Sequence, residues 1–351
     1  MSAGESAQLK LAIDTNNFEQ VKTLLTRNPE LHRAPLGYAQ GGPLTWVAEC
    51  RIPWEPPGPP RLAIAKWMIE NGSDVHQGGD GPLGRAALHS HRIPMMELLV
   101  AHGANVNAAW HGTYPIIFSP CETLDPLSLK WLLKHGADPN CGNPENWAAA
   151  RHPHPGTALD YLIGAYLRDP ELLSSCLDIL LDAGGATKYD TPSLLALLRG
   201  RLDDFRQQLD SDPTLTSRRF PEFDFGTTAT RMLTLRGTTL LHTAAEYGNL
   251  DAARLLLDRG ADVNARATID DVGLGGQTAV FHAATQFNDA GLPLAQLLVE
   301  RGADLSVRAT LPGHYERPGE VVECTPLGYA LLFPGHPGNT VALLREHAAP
   351  E

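Results

Sequence analysis

Apolar residues along this chain fall into short clusters of helical spacing, divided by turns rich in glycine, asparagine and aspartate. The clearest unit runs from Gly237 to Asn264 and reads GTTLLHTAAEYGNLDAARLLLDRGADVN. Its first half carries the small pair Ala244 and Ala245, which predicts a helix able to pack closely on its neighbours. Its second half carries Leu255, Leu256 and Leu257 as the apolar stripe of a second helix. Gly260 should end that helix, because glycine enters the left-handed region without steric cost.

The unit recurs. GQTAVFHAATQFNDAGLPLAQLLVERGADLS follows from Gly276, and tails of the same kind begin at Gly72, Gly103, Gly136, Gly260 and Gly302, at spacings of 31, 33, 124 and 42 residues. The long gap holds two degenerate copies, starting at Gly156 and Thr191. One such helix pair cannot bury its own stripe, so the copies are expected to shelter one another in a tandem stack.

The repeated unit resembles the ankyrin repeat family, whose first helix carries a TPLHxAA signature. It stands nearly intact here as Thr239-Leu-Leu-His-Thr-Ala-Ala245 and as Thr325-Pro-Leu-Gly-Tyr-Ala330. Weaker copies lie at Pro43–Ala48, Pro82–Ala87, Pro115–Ser119 and Thr157–Leu162. With helical pairs expected at 6–28 and 191–215, about nine units cover almost the whole chain. The resemblance implies an all-α fold, an ankyrin-type solenoid of helix pairs with enlarged hairpin or finger loops.

Two stretches share another pattern: Asn17-Phe-Glu-Gln-Val-Lys-Thr-Leu-Leu25 before Asn28-Pro, and Asp204-Phe-Arg-Gln-Gln-Leu209 before Asp212-Pro. A unit of starting type in mid-chain suggests two blocks, 1–189 and 190–351, which could still form one stack. Long insertions follow several units, at 140–156, 218–237, 264–276 and 306–323. Loops this long in a repeat array are usually functional, and their aromatic residues argue for order. In the resemblance they become fingers beside a concave face. The proline-rich Ile52–Pro60 segment should instead connect two helices of one unit as an extended strap.

The family pattern places the x residue of TPLHxAA on the exposed inner surface of the first helix. Here that row is Trp46, Arg85, Phe118, Tyr161, Thr243, His282 and Tyr329, with Glu49 and Glu246 one turn on. Four of the seven are aromatic in a chain with only 7% aromatic residues, which suggests a binding floor; the alternative is that the fingers fold over these rings and bury them as extra core. With Trp147 and Tyr315 from the insertions, these are the candidate binding residues. If the protein is an enzyme, Glu49 and His282 are the candidate acid and base. The resemblance gives His242 a structural role, tying neighbouring loops. Asp160 stands where the family has His and should accept backbone donors from a nearby turn. The pairs His89/His91 and His152/His154 lack metal-site spacing, so no metal is expected.

Composition adds exclusions. The charge of 28 Lys and Arg against 40 Asp and Glu, −12 in all, disfavours a nucleic-acid partner. No apolar run is long enough for a membrane span, five scattered cysteines form no CxxC, and the first residues have no signal-peptide pattern; the expected setting is cytoplasmic. No phosphate loop, dinucleotide fingerprint, HExxH or GxSxG is present, and no cofactor is expected. The leading expectation is a scaffold that binds a protein partner through an aromatic groove and finger loops. The alternative is a small-molecule-binding protein or enzyme with a pocket under the fingers.

Overall fold

In the computed structural model, the described residues are 3–52, 54–142, 156–227, 231–333 and 338–347. The helices follow one another in successive pairs: α1 (Ala3–Asp14) and α2 (Phe18–Arg27), α3 (Pro43–Glu49) and α4 (Pro59–Glu70), α5 (Gln77–Ala86) and α6 (Ile93–Ala101), α7 (Phe118–Thr123) and α8 (Pro126–Lys134). They continue with α9 (Ala158–Gly164), α10 (Pro170–Asp182), α11 (Pro192–Leu198), α12 (Leu202–Ser211), α13 (Leu240–Glu246) and α14 (Leu250–Asp258). The last are α15 (Ala279–Ala283), α16 (Leu292–Glu300), α17 (Pro326–Leu331) and α18 (Gly338–His347). Strands are confined to the connections: β1 (Ala109–Trp110) pairs with β2 (Tyr114–Pro115), and β3 (Ala309–Pro312) with β4 (Val321–Cys324), both antiparallel. The chain divides into two compact units, residues 1–162 with 179–186, and residues 163–178 with 187–351.

Local chemistry sets the helix ends. Proline opens α3, α8 and α11, where its missing N–H costs no intrahelical bond. Thr239 and His242 form a capping box on α13, and the Asn249 side chain caps α14 through Ala252 N. The tail glycines Gly72, Gly103, Gly136, Gly260 and Gly302 all have φ between +84° and +119°. A side chain there would clash with its own backbone, so the repeated glycine is a conformational requirement.

Those tails are stitched to one another. The Asn107 side chain donates to Gly136 O and accepts from Asp138 N; Asn140 does the same with Gly184 O and Ala186 N, and Asn264 with Gly302 O and Asp304 N. One asparagine per turn thus satisfies a carbonyl and an amide of the next turn, which explains its recurrence in the sequence.

The two helices of a pair bury different amounts. α14 buries only Ala252, Ala253 and Leu256, with Leu255 and Leu257 half-buried. In α3 and α13 all seven residues are buried, and in α15 all five. The expectation of solvent-facing x positions on these first helices is therefore corrected: Trp46, Phe118, Tyr161, Thr243, His282 and Tyr329 are all buried. The physical reason is cover. The connections fold over these short helices rather than standing clear of them.

In the second unit that cover is a hydrogen-bonded sequence of loops. Phe220 pairs with Thr238, Thr268 N donates to Gly237 O, and Gly275 exchanges backbone bonds with Thr310 on β3, which pairs in turn with β4. Leu233, Ala309 and Leu311 from these loops pack on Phe281, Tyr329 and Phe333 as one apolar cluster.

Cys50 lies just past α3 in the left-handed region. Gly78, Gly79 and Asp80 also have positive φ, so the regular part of α5 starts only at Gly81.

Candidate functional site

Glu246 and Glu49 are buried glutamates, each at the centre of a polar cluster in its own unit. In the second unit, Glu246 at the end of α13 is completely buried and receives both oxygens' worth of partners. Arg231 Nη2 donates to Oε1 at 2.8 Å and Oε2 at 2.6 Å, Arg168 Nε donates to Oε1 at 2.9 Å, and His282 Nδ1 lies 2.7 Å from Oε2. Burial pushes the Glu246 carboxyl up, but Arg231, Arg168 and the His282 bond outweigh it and hold the group at about 2. The His282 imidazole is lowered, first by burial, so it stays neutral and donates Nδ1–H to the carboxylate. Arg168 uses its remaining donors on the carbonyls of Ala165, Leu167 and Thr227, and its guanidinium lies 4.6 Å from the Tyr247 ring.

In the first unit, Glu49 ends α3 and is also buried. Its Oε1 takes Arg85 Nη2 at 2.5 Å and Arg51 Nη2 at 3.0 Å. Arg85 comes from α5, and its guanidinium lies 4.8 Å from the Tyr38 ring and 5.5 Å from the Trp110 ring. Arg51 keeps 44% of its side chain exposed and Tyr38 is 50% exposed, so this carboxylate has a solvent-facing rim that Glu246 lacks.

The remaining candidates divide into different places. Trp46 donates its indole N–H to Asp14 Oδ1 at 2.7 Å, under Lys10 at 4.3 Å from the ring. Phe118 stacks on Tyr161 with centroids 4.4 Å apart, and Tyr114 meets both edge-on while donating to Glu122. Tyr329 donates to Pro312 O beneath β3. Tyr315 is exposed on the loop between β3 and β4. Trp147, and with it His152 and His154, lies outside the described residues. His282 and Glu49 thus belong to different units, the first bonded to Glu246 and the second paired with Arg85 and Arg51.

Other residues singled out by sequence take structural positions. His242 bonds Thr239 and, through Nε2, Gln277 O at 3.2 Å; burial first, then His282, lowers it to about 3. Asp160 accepts from Thr157 N within its own turn. His89 and His91 stack at 5.6 Å against the exposed Trp54, and burial lowers His89 to about 4. Among the described residues no cluster of three or more His, Cys, Asp or Glu could hold a metal. Sequence reasoning missed Arg51, Arg168, Arg231, Tyr38 and Trp110. Only Arg51 left a trace, two residues from Glu49; the others reach their partners from connections with no repeat signature.

One open cavity of about 550 Å³ lies elsewhere in the second unit, lined by Glu171, Ser174, Arg199, Asn249 and Asp251 among others. Its main polar groups are engaged: Ser174 donates to Arg199 O, Asn249 to Leu197 O, and Arg199 pairs with Asp178. No helix of the described residues is long and apolar enough to cross a membrane.

Compared with known proteins, residues 174–309 match a family model for ankyrin repeats, in three copies. No curated protein matches the sequence. The crystal structure of the human ASB11 ankyrin repeat domain is similar at 18% identity and a TM-score of 0.40, over 84% of this chain and 97% of that one.

Proposed function

We propose that this ankyrin repeat protein is a scaffold that binds another protein through the tips of its finger loops. Ankyrin repeats generally serve protein–protein interaction, which supports this class of function. The observation that carries the specific reading is exposure. Ile269, Val272 and Val321, on the loops 265–276 and β3–β4, are 59%, 80% and 53% exposed although large and apolar. Their loops are held by the Gly275–Thr310 backbone pair and by Arg266 Nη2 on Arg308 O, so the tips are presented by an ordered backbone. The aromatic row cannot serve as the contact surface, since its rings are already covered.

In this reading the chain comprises about nine helix-pair units in two blocks, 1–189 and 190–351, and works in the cytoplasm. Among the described residues no cysteine forms a disulfide, in keeping with a reducing setting. Asp270 and Asp271 lie between the exposed Ile269 and Val272, and the chain carries −12, so the partner is an apolar surface with basic groups rather than a nucleic acid. The test is affinity capture with the intact chain and with Ile269→Ser, Val272→Ser and Val321→Ser combined. A specific partner retained by the first and lost by the second, at equal melting temperature, supports the reading. A partner held equally by both overturns it.

A further inference from the structure

Glu49 and Glu246 occupy the same place in two copies of one design. Asn28-Pro and Asp212-Pro each follow a ten-residue helix, with identical backbone angles of φ −136° and ψ 87° at Asn28 and Asp212. The next helix of the chain, α3 or α13, then ends in the buried glutamate. Each glutamate is met by the x residue of the following unit: Glu49 by Arg85, with Arg51 as the second guanidinium, and Glu246 by His282, with Arg231 and Arg168 as its two guanidiniums.

The two copies differ in what covers them. From Asn28 to Glu49 is 21 residues, whereas from Asp212 to Glu246 is 34. The extra 13 belong to the loop that carries Arg231 and seals Glu246. The shorter segment over Glu49 supplies only Tyr38, and the site stays open at Tyr38 and Arg51.

Both copies face two guanidiniums and hold donors without acceptors, Arg231 Nε and Nη1 beside Glu246 and Arg85 Nε beside Glu49, but only the second has an exposed rim that a ligand can reach. Arg51 and Arg85 both bond the same oxygen of Glu49, so two positive charges face one negative. Arg85 Nε and Trp110 Nε1 are shielded from solvent and have no acceptor. Trp110 lies along the Gly81–Arg85 face of α5: a Cβ at Gly81 would stand 3.0 Å from its indole nitrogen. Shielded N–H groups without acceptors cost free energy, and a second guanidinium on one carboxylate oxygen favours an added anion. The rings of Tyr38 and Trp110 beside Arg85 favour a flat apolar body attached to that anion.

We propose that the surface over Glu49, bounded by Tyr38, Arg51, Arg85 and Trp110, binds the carboxylate of a small aromatic acid. Arg51 and Arg85 neutralise the carboxylate, and the exposed Tyr38 ring covers the aromatic body. The site shares no residue with the finger tips, so either reading can fail alone.

The test is a 1H–15N titration of the full chain, read at the indole N–H signals and assigned with Trp110→Phe. Benzoate is the probe, benzamide its uncharged counterpart, and inorganic phosphate the non-aromatic anion. The expected result is a saturable shift of the Trp110 signal with benzoate at a Kd of about 1 mM or tighter, and little response to the other two. Arg51→Gln should weaken binding about tenfold, with the Trp46 indole signal unmoved as a sign that the unit remains folded. A motionless Trp110 signal, an equal response to benzamide or phosphate, or full affinity in Arg51→Gln overturns the proposal.

Discussion

His282 Nδ1 stands 2.7 Å from Glu246 Oε2, and both side chains are completely buried. This contact ties the end of α13 to α15, so two consecutive short helices share one charge. The carboxylate is ionised because Arg231 and Arg168 oppose the cost of burial. Its removal leaves two guanidiniums facing a neutral group.

Glu246→Gln should therefore destabilise the protein by about 3–5 kcal/mol, the usual cost of breaking a buried pair from one side. Adding Arg231→Met to that variant should restore part of the loss by removing the stranded cation. Urea unfolding of the two variants checks this. A double variant less stable than the single one contradicts it.

Acid should weaken the fold in two steps. His242 and His282 are lowered by burial, so the unfolded chain takes up protons near pH 6.5 that the folded chain refuses. Stability is then full above that range and falls by about 1 kcal/mol for His242 from about pH 7 to about pH 5.5, with a further loss in the same direction from His282. Glu246, held at about 2, adds a loss as the pH falls below the ordinary carboxylate range. Melting temperatures across pH measure both, and His242→Gln should flatten the first step.

The asparagine stitches predict a repeated cost. Asn140→Ala removes a donor to Gly184 O and an acceptor for Ala186 N, and Asn264→Ala removes the corresponding pair at Gly302 and Asp304. Each should lower stability by about 1–2 kcal/mol. Denaturant midpoints that leave both variants unchanged would show that water replaces these bonds at no loss.

Tyr329 separates packing from hydrogen bonding. Tyr329→Phe deletes only the bond to Pro312 O and should cost about 1 kcal/mol. Tyr329→Ala empties a site beside Phe281 and Phe333 and should cost about 3–5 kcal/mol. Thermal unfolding of the two variants gives the ratio directly.

Much of the helix pairing was readable from local signals. Ala244 with Ala245, the Leu256 stripe, Gly260 and Asn264 each act within a few residues of their own position or on the next identical turn, so their roles recur with the period. The structural role expected of His242 came from the resemblance, and its contacts with Thr239 and Gln277 are of that kind. The candidate site was legible only in its helix-borne half. Glu49, Arg85 and His282 stand at repeat positions, whereas Arg231, Tyr38 and Trp110 come from connections that follow no period.

The amino-acid order by itself determined which segments become helices, where each one stops and which residues recur at each turn, because capping, glycine dihedrals and apolar spacing are short-range effects. Tertiary structure alone decided what covers those helices. A ring at an x position is exposed or buried according to where a long connection settles, and that depends on contacts between residues far apart in the chain. The same buried glutamate is thus sealed at Glu246 by a long loop and left with an open, cationic rim at Glu49 by a short one.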